Sequence, residues 1–170
     1  MGRKSIKEDK NIYFLKREEC EFTREEASEV TGISVDKIEK IENRGVVPYP
    51  EEVLAMAKGY KEPSICNYYC SKECAIGKQY VPEIPYKDLR QIVLEMMVSM
   101  NGLQGKQNRL MEISIDNTVD DDQIADFIEI QDKLEQISIL VETLQLWSEE
   151  MLAEGKINKA KYDELKAKQN

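Results

Sequence analysis

The stretch FTREEASEVTGISVDKIEKIENRG, residues 22–45, decides the fold of the N-terminal half of the chain. Thr23 followed three residues later by Glu26 forms a capping box, which predicts the start of a helix. Gly32 predicts the end of that helix, and Ser34 predicts the N-cap of the next one. A capped helix, a glycine turn and a second capped helix form the pattern of a helix-turn-helix.

Other residues of the same stretch predict how its two helices pack. Ser28 is a small residue that allows the second helix to cross the first, and Ile33, Ile38 and Ile41 supply apolar contacts. Gly45 predicts the end of the second helix. Short helical segments flank the stretch on both sides, so we expect five helices in this half, the last of them over a cysteine-rich segment.

Over residues 11–60 the chain resembles the Cro/phage-repressor (XRE-type) family of helix-turn-helix proteins. The resemblance is carried by T-x-E-E at residues 23–26, G-I-S at 32–34 and I-x-K-I-E-N at 38–43. It implies an all-α, repressor-like N-terminal domain and the function of a sequence-specific, DNA-binding transcriptional regulator. In such domains the second helix of the motif enters the major groove of DNA.

The resemblance also implies roles for individual residues. Arg17 and Glu42 correspond to an arginine–glutamate pair that links the first and third helices and is structural. A recognition helix begins at Ser34, and Arg24 falls where the family contacts backbone phosphate. The residues implied in DNA contact are Arg24, Ser34, Val35, Asp36, Lys37, Lys40, Asn43 and Arg44.

Two carboxylates on this surface depart from what DNA contact favours. Asp36 and Glu39 lie on or beside the face that would meet DNA. Aspartate can accept a hydrogen bond from cytosine, but a carboxylate also repels phosphate. The alternative function is a protein–protein interaction or adaptor module that uses a repressor-like fold without binding DNA.

The segment CNYYCSKECAIG, residues 66–77, holds three of the four cysteines: Cys66, Cys70 and Cys74. Along one helix their sulfur atoms would be strung out along the axis. A zinc ion or an iron–sulfur cluster therefore requires the helix to break, with Cys20 as a possible fourth ligand. Burial as small apolar side chains and redox-reactive thiols are the two alternatives. The spacing leaves all three open.

Composition limits both the chemistry and the place of nucleic-acid binding. The chain of 170 residues has no histidine, which excludes Ser–His and Cys–His nucleophilic sites, so no enzymatic activity is expected.

Charge is unevenly distributed between the two halves of the chain. Residues 1–80 carry 14 Lys and Arg against 15 Asp and Glu, a net −1, and residues 81–170 carry 10 against 18, a net −8. DNA should therefore bind the first half. That half begins with a basic arm of Arg3, Lys4, Lys7 and Lys10.

The apolar pattern predicts no membrane-spanning or secretory segment. We therefore expect a cytoplasmic protein with no membrane partner. Because cytoplasmic thiols stay reduced, the four cysteines do not predict disulfides.

Two prolines divide the chain into two modules. Pro82 and Pro85 indicate an extended linker over residues 78–85, after a helix-turn-helix domain at residues 1–77. Residues 86–170 predict a long antiparallel helical hairpin with coiled-coil heptads. Because the apolar stripe is wider than one seam, we expect the hairpin to join two copies in a homodimer. The alternative is a hairpin folded back on its own N-terminal module.

The heptads predict which residues form the seam of that hairpin. On the first long helix they are Leu89, Val93, Met96, Met100, Leu103, Gln107 and Leu110. On the second they are Phe127, Ile130, Leu134, Ile137, Val141, Leu144, Ser148 and Met151. The residues that widen the second stripe are Ile128, Leu140 and Trp147.

Overall fold

The computed structural model describes residues 10–115 and 118–168. Within those ranges every regular element is a helix, so the predicted all-α class is confirmed. Arg3, Lys4 and Lys7 of the predicted basic arm lie outside the described residues. No helix in the described ranges is long and apolar enough to cross a membrane. The helices are α1 (Ile12–Glu19), α2 (Arg24–Thr31), α3 (Val35–Glu42), α4 (Pro50–Gly59), α5 (Ser64–Lys72), α6 (Gly77–Tyr80), α7 (Leu89–Gln104), α8 (Gln107–Ser114), α9 (Ile124–Ala153) and α10 (Lys159–Ala167).

The chain divides into two compact units. The first consists of the described parts of Met1–Glu83 and Glu149–Asn170, and the second of the described part of Ile84–Ser148. The end of α9 and all of α10 therefore group with the N-terminal helices, whereas the sequence pattern grouped residues 86–170 together. The heptads continue through Ser148 without interruption, so they carry no signal for this division.

One apolar core holds α1 to α5 together in the first unit. Ile33, Ile38 and Ile41 are buried in it, as predicted. The small residue that is fully buried in α2 is Ala27, while Ser28 is only half-buried. The single methyl group of Ala27 leaves room for the isoleucines of α3. The other buried members of the core are Tyr13, Val53, Met56, Ala57, Tyr60 and Ile65.

The caps between α2 and α3 lie where the sequence predicts them. Thr23 Oγ1 accepts a hydrogen bond from the Glu26 N–H at 3.1 Å, and the Glu26 carboxylate accepts one from the Thr23 N–H at 2.8 Å. Gly32 ends α2 in the left-handed region, with φ 72°. Ser34 Oγ accepts a hydrogen bond from the Lys37 N–H at the start of α3. Local sequence therefore determines both ends of this turn.

The end of α3 differs from the prediction. The helix stops at Glu42 with Asn43 as its C-cap, and the residue with left-handed backbone is Arg44, with φ 58°. Gly45 follows with negative φ, and its N–H donates to the carbonyl oxygen of Lys40 at 2.8 Å. Placing a side chain in the left-handed region costs about 1–2 kcal/mol. Arg44 therefore has the strained left-handed backbone that the sequence pattern predicted for Gly45.

The cysteine-rich segment is not one helix. α5 ends at Lys72, Cys74 follows in a turn, and α6 begins at Gly77. There the chain folds back so closely that a Cβ on Gly77 would lie 2.1 Å from the carbonyl oxygen of Cys70. The predicted fifth helix is therefore two helices. The linker predicted at residues 78–85 begins with the rest of α6 rather than with extended chain.

The first long helix predicted for the second unit is also interrupted. α7 ends at Gln104 and α8 begins at Gln107, with Gly105 as the C-cap of α7. Two glycines within four residues weaken this part of the helix, because glycine is about 1 kcal/mol less favourable than alanine in a helix interior. The apolar heptad runs without interruption from Leu89 to Leu110, so it does not predict the break between α7 and α8.

Ion pairs connect this broken segment to α9. Lys106 Nζ lies 2.7 Å from a carboxylate oxygen of Glu129, and Arg109 Nε lies 2.7 Å from one of Asp126. From Lys106 to Arg109 the residue number rises, whereas from Glu129 to Asp126, their partners on α9, it falls. The two segments are therefore antiparallel where these pairs form.

The buried stripe of α9 is rotated from the predicted seam. Ile130 is buried as expected, but the other buried residues are Leu140 and Thr143, whereas Leu134 and Val141 are more than 40% exposed. At 100° per residue, Leu140 and Thr143 lie about 80° and 140° around the helix from Ile130. A straight helix drifts by only about 20° per heptad against a 3.5-residue repeat, so the buried side of α9 changes along its length by more than that drift. Leu134 and Val141, which were assigned to the seam, are therefore not part of the buried side of α9 within one chain.

The same rotation applies to α7. Ile92, which lies beside the predicted seam, is completely buried. Leu89, Val93 and Met100, which were assigned to the seam, are exposed. Half of the apolar surface of α7 consequently lacks a partner within the second unit.

Candidate nucleic-acid interface

The outer side of α3 presents polar side chains to solvent. Ile38 and Ile41 direct its inner side into the core. On the outer side Asp36, Glu39 and Lys40 are exposed, together with Asn43 at the C-cap. Of the remaining residues implied in DNA contact, Ser34 and Arg44 are exposed and Arg24, Val35 and Lys37 are half-buried.

A buried ion pair fixes the orientation of α3. Arg17 of α1 donates through Nε to Glu42 Oε1 at 2.5 Å and through Nη2 to Oε2 at 3.2 Å. Both residues are buried, which confirms the pair implied by the resemblance. Burial lowers the pKa of Arg17, but hydrogen bonds to Glu42 and Glu18 raise it by more, so the guanidinium stays charged. The charged pair anchors α3 to α1.

Arg24 is drawn into the same network. Its Nε donates to Glu42 Oε2 at 2.9 Å, and its Nη1 donates to Glu39 Oε1 at 3.2 Å. The guanidinium thus has two carboxylate partners from α3. A phosphate at this position would have to compete with both of them.

The two lysines of α3 are paired as well. Lys40 Nζ lies 2.7 Å from Asp36 Oδ2, and this hydrogen bond raises the pKa of Lys40. Lys37 Nζ lies 3.5 Å from Glu52 Oε1 and 4.7 Å from the centre of the Tyr49 ring. The positive charge on this surface is therefore largely compensated by carboxylates of the same chain.

Arg44 is the exception among the cations assigned to DNA. It is exposed beside Asn43 and makes no ion pair with any residue the structure describes. It lines a cleft of about 410 Å³ that also includes Lys72, Tyr68 and Glu73. The strained backbone at Arg44 therefore places a cation at the C-terminal end of α3, where phosphate could approach it.

No family model matches this chain. Neither a curated protein nor a solved structure matches it. The resemblance to repressors therefore rests on the motif residues and the contacts described above.

Most of the ion pairs made by the cations of this surface could not be predicted from the sequence. Only the pair Asp36–Lys40 has a local signal, because its residues are four apart on one helix. Glu39 and Glu52 reach their partners across helices, which spacing does not reveal.

The four cysteines make separate contacts. Cys20 Sγ donates to the carbonyl oxygen of Tyr60 at 3.2 Å, and Cys20 and Cys66 both pack against the apolar core. Cys74 Sγ accepts a hydrogen bond from a backbone N–H at 3.4 Å, and the backbone of Cys70 is covered by α6. Within the described residues, no three His, Cys, Asp or Glu side chains are placed to hold a metal ion. Cys20 and Cys66 thus contact the core, whereas Cys70 and Cys74 are half-buried outside it.

Burial raises the pKa of the thiols of Cys20, Cys66 and Cys70. The neighbouring Cys70 adds to the effect at Cys66, and Cys74 adds to it at Cys70. Because the thiolate is the reactive form, a raised pKa makes a cysteine a weaker nucleophile at neutral pH. Redox-reactive cysteines have the opposite shift.

We expect iodoacetamide to alkylate Cys20, Cys66 and Cys70 more slowly in the folded chain than in urea. The raised pKa values mean that less thiolate is present at a given pH, so the rise in rate should occur at higher pH in the folded chain. Site-resolved mass spectrometry of quenched samples between about pH 6 and pH 10 measures this. Faster alkylation of the folded chain near neutral pH would contradict the packing role and favour redox-reactive thiols.

Proposed function

We propose that the first unit binds double-stranded DNA sequence-specifically through a repressor-like helix-turn-helix, and that the chain is a transcriptional regulator. The two-sided character of α3 carries the proposal. Its inner side is fixed by the buried pair of Arg17 and Glu42, whereas Asp36, Lys40 and Asn43 are exposed. A short helix held rigidly on one side, with polar side chains on the other, suits the major groove.

The exposed side chains divide into base-reading and phosphate-binding groups. Lys40 and Lys37 can donate to guanine, and Asp36 can accept from the amino group of cytosine. Arg44 and Arg24 contact phosphates, which position the helix but do not select a sequence. The pattern therefore favours a site with guanine and cytosine at the positions that α3 reads.

The intramolecular ion pairs reduce this binding without preventing it. Asp36 and Lys40 are both exposed, and exposed ion pairs stabilise a protein very little, so phosphate or a base edge can replace the aspartate at small cost. Arg24 differs, because one of its partners is the buried carboxylate of Glu42. We therefore expect Lys40 to contribute more to DNA affinity than Arg24.

A second candidate function is docking of another protein on the same surface. The observation that favours it is the pairing of Arg24, Lys37 and Lys40 with carboxylates of the chain itself. A surface with compensated charge gains little from counterion release on DNA. It would bind a protein whose polar groups alternate in sign.

We further infer that the second unit is an antiparallel helical hairpin that joins two copies of the chain. The pairs Lys106–Glu129 and Arg109–Asp126 support the hairpin. A dimer would present two copies of α3 to two half-sites, which adds their modest affinities.

Replacing Lys40 with glutamate should lower DNA affinity roughly 5- to 150-fold. Duplexes are first selected from a random pool with the wild-type chain. Affinity for a selected duplex is then measured by fluorescence anisotropy at several salt concentrations. The wild-type log affinity should fall linearly with log salt, with a slope of about −0.9 per phosphate contact.

The matched control is Lys161→Glu on α10. Lys161 is also an exposed lysine paired with a neighbouring carboxylate, Glu164, so the charge change is the same. Its affinity should stay within about twofold of wild type, since long-range repulsion is screened beyond a Debye length. If the wild-type chain selects no duplex from the pool, DNA binding is excluded and docking of a protein becomes the proposed function. Equal losses for the two variants would exclude a specific role for Lys40.

A further inference from the structure

α7 exposes a wide apolar face. Six of its large apolar side chains are between 39% and 66% exposed. They are Leu89, Val93, Leu94, Met97, Val98 and Met100. At 100° per residue they cover about half of the helix circumference, opposite the buried Ile92. We call these six residues the outer face of α7.

The outer face is as large as the largest apolar patches that monomers expose. Its exposed area amounts to roughly 600 Å² per copy, which reaches the upper limit for the largest apolar patch on a typical monomer. Two such faces together would remove roughly 1,200 Å² from water, which is where the range of stable protein interfaces begins. The area is therefore sufficient for one interface between two copies.

Charge indicates that the partner is a second copy. Residues 84–148 contain 5 Lys and Arg against 12 Asp and Glu, a net −7. Two such units repel each other through most of their surfaces. α7 itself has one arginine and one glutamate, a net charge of zero, and Glu95 is paired with Lys87. α7 is thus the surface through which two copies can meet without carboxylates opposing each other.

The outer face of α7 does not favour a positively charged protein as its partner. Positive charge would be attracted to the carboxylates of the unit, and α7 offers only Glu95, which already has a lysine partner. A second copy needs no charge complementarity, since a twofold interface places the same apolar residues opposite each other.

We propose that the chain forms a homodimer through the outer faces of two α7 helices, crossing antiparallel about a twofold axis near Met97. This pairing places Leu94 opposite Met100 of the second copy, and Arg90 opposite Gln104, so that no like charges meet. The apolar cleft beside Leu94 and Val98, about 400 Å³ in volume, receives side chains of the second copy. This α7 interface specifies how the dimer of the proposed function forms. It rests on the proposed dimer alone and not on the proposed DNA binding.

Sedimentation equilibrium of the full chain without DNA tests the interface. From about 1 to about 100 µM, where a micromolar interface dissociates, the wild-type mass should rise from one to two copies of the 19.7 kDa chain. Val98→Glu should remain monomeric with unchanged helicity by circular dichroism. Val47→Glu is the control, because Val47 in the first unit is similarly exposed (60% against 66%). It should dimerise like wild type.

Charge pairing at the axis tests the geometry. Met97→Glu and Met97→Lys each bring like charges together and should weaken the dimer more than tenfold. An equimolar mixture of the two should restore it, because each position 97 then opposes the opposite charge. This readout holds even if Val98→Glu unfolds.

Three results would overturn the proposal. One is a monomeric wild-type chain over the whole range. Another is a Val98→Glu variant that stays helical and dimeric. The third is a mixture of the Met97 variants that does not associate more than either alone. None of these results depends on DNA, so the dimer can fail while DNA binding stands, and the reverse.

Discussion

Replacing Glu42 with glutamine should lower the free energy of unfolding by about 3–5 kcal/mol, the usual cost of leaving one member of a buried ion pair without its partner. Glutamine keeps the shape of glutamate but not its charge. Arg17 would then remain charged and buried without its buried counter-charge, and would keep only the carboxylate of the half-exposed Glu18 and the carbonyl oxygen of Phe22. Arg24 would lose its stronger partner at the same time.

Urea unfolding followed by circular dichroism measures this loss. The matched control is Glu39→Gln, since Glu39 also binds Arg24 but is 53% exposed. An exposed pair contributes about 0–1 kcal/mol, so this control should unfold almost like wild type. If the two variants lose equal stability, the buried pair does not anchor α3, and the rigid inner side on which the proposed function depends is absent.

A double variant separates lost charge from lost packing. Changing Arg17 to methionine and Glu42 to leucine together removes both buried charges and keeps most of the volume. Apolar replacement of a whole buried ion pair is often neutral or stabilising. The double variant should therefore be more stable than Glu42→Gln alone, although Arg24 would still lack one acceptor.

Features set by neighbouring residues were predictable from the sequence. The capping box at Thr23 and Glu26, the glycine end at Gly32 and the N-cap at Ser34 each depend on side chains within three residues of one another. The Arg17–Glu42 pair is not local, and it was expected only through the resemblance to a family. Local chemistry thus defines the turn, while the anchor of α3 required a known pattern.

Features set by distant residues were not predictable. The carboxylate of Glu52 reaches Lys37 from α4, and Glu39 reaches Arg24 from the neighbouring helix. A list of the cations on α3 therefore overstates the positive charge available to DNA. The left-handed residue at the end of α3 was assigned to Gly45 but is Arg44, because the backbone hydrogen bond to Lys40 sets the end one residue earlier.

The long helices show the limit of a periodic pattern. A strict heptad selects Leu134 and Val141, but the buried face of α9 includes Leu140 instead. Between Ile130 and Thr143 the buried side of α9 moves around the helix by more than the drift of about 20° per heptad, so the neighbouring elements decide between them, and a heptad does not identify those neighbours. Nor does the heptad of α7 show that its outer face is left uncovered within one chain.

Replacing Gly77 with alanine should lower the free energy of unfolding by about 3 kcal/mol, the upper part of the usual cost of overpacking. The new Cβ would lie 2.1 Å from the carbonyl oxygen of Cys70 and 2.8 Å from its carbonyl carbon. Both atoms belong to the backbone, so no side-chain rotation can relieve the contact. α6 would have to move away from α5, or the last turn of α5 would have to unwind.

Gly102→Ala is the matched control, because the substitution is the same and the surroundings are open. Its Cβ would meet only the side chain of Lys133, at 3.8 Å. Gly102 lies inside α7, where alanine stabilises a helix by about 0.5–1 kcal/mol relative to glycine. The two glycine-to-alanine variants should therefore shift the urea midpoint in opposite directions.

A metal chelator added to the same urea unfolding decides whether the cysteine-rich segment also holds a metal. If the segment exists to pack α6 against α5, Gly77→Ala destabilises the chain, and a metal chelator leaves the wild-type stability unchanged. If its cysteines held a metal, the chelator itself would destabilise the wild-type chain, since metal binding contributes to folding. A neutral Gly77→Ala variant would mean that α6 does not lie against Cys70 as described. The contact between Gly77 and Cys70 predicts that Gly77→Ala destabilises the chain, because only glycine fits where the chain turns back at that distance.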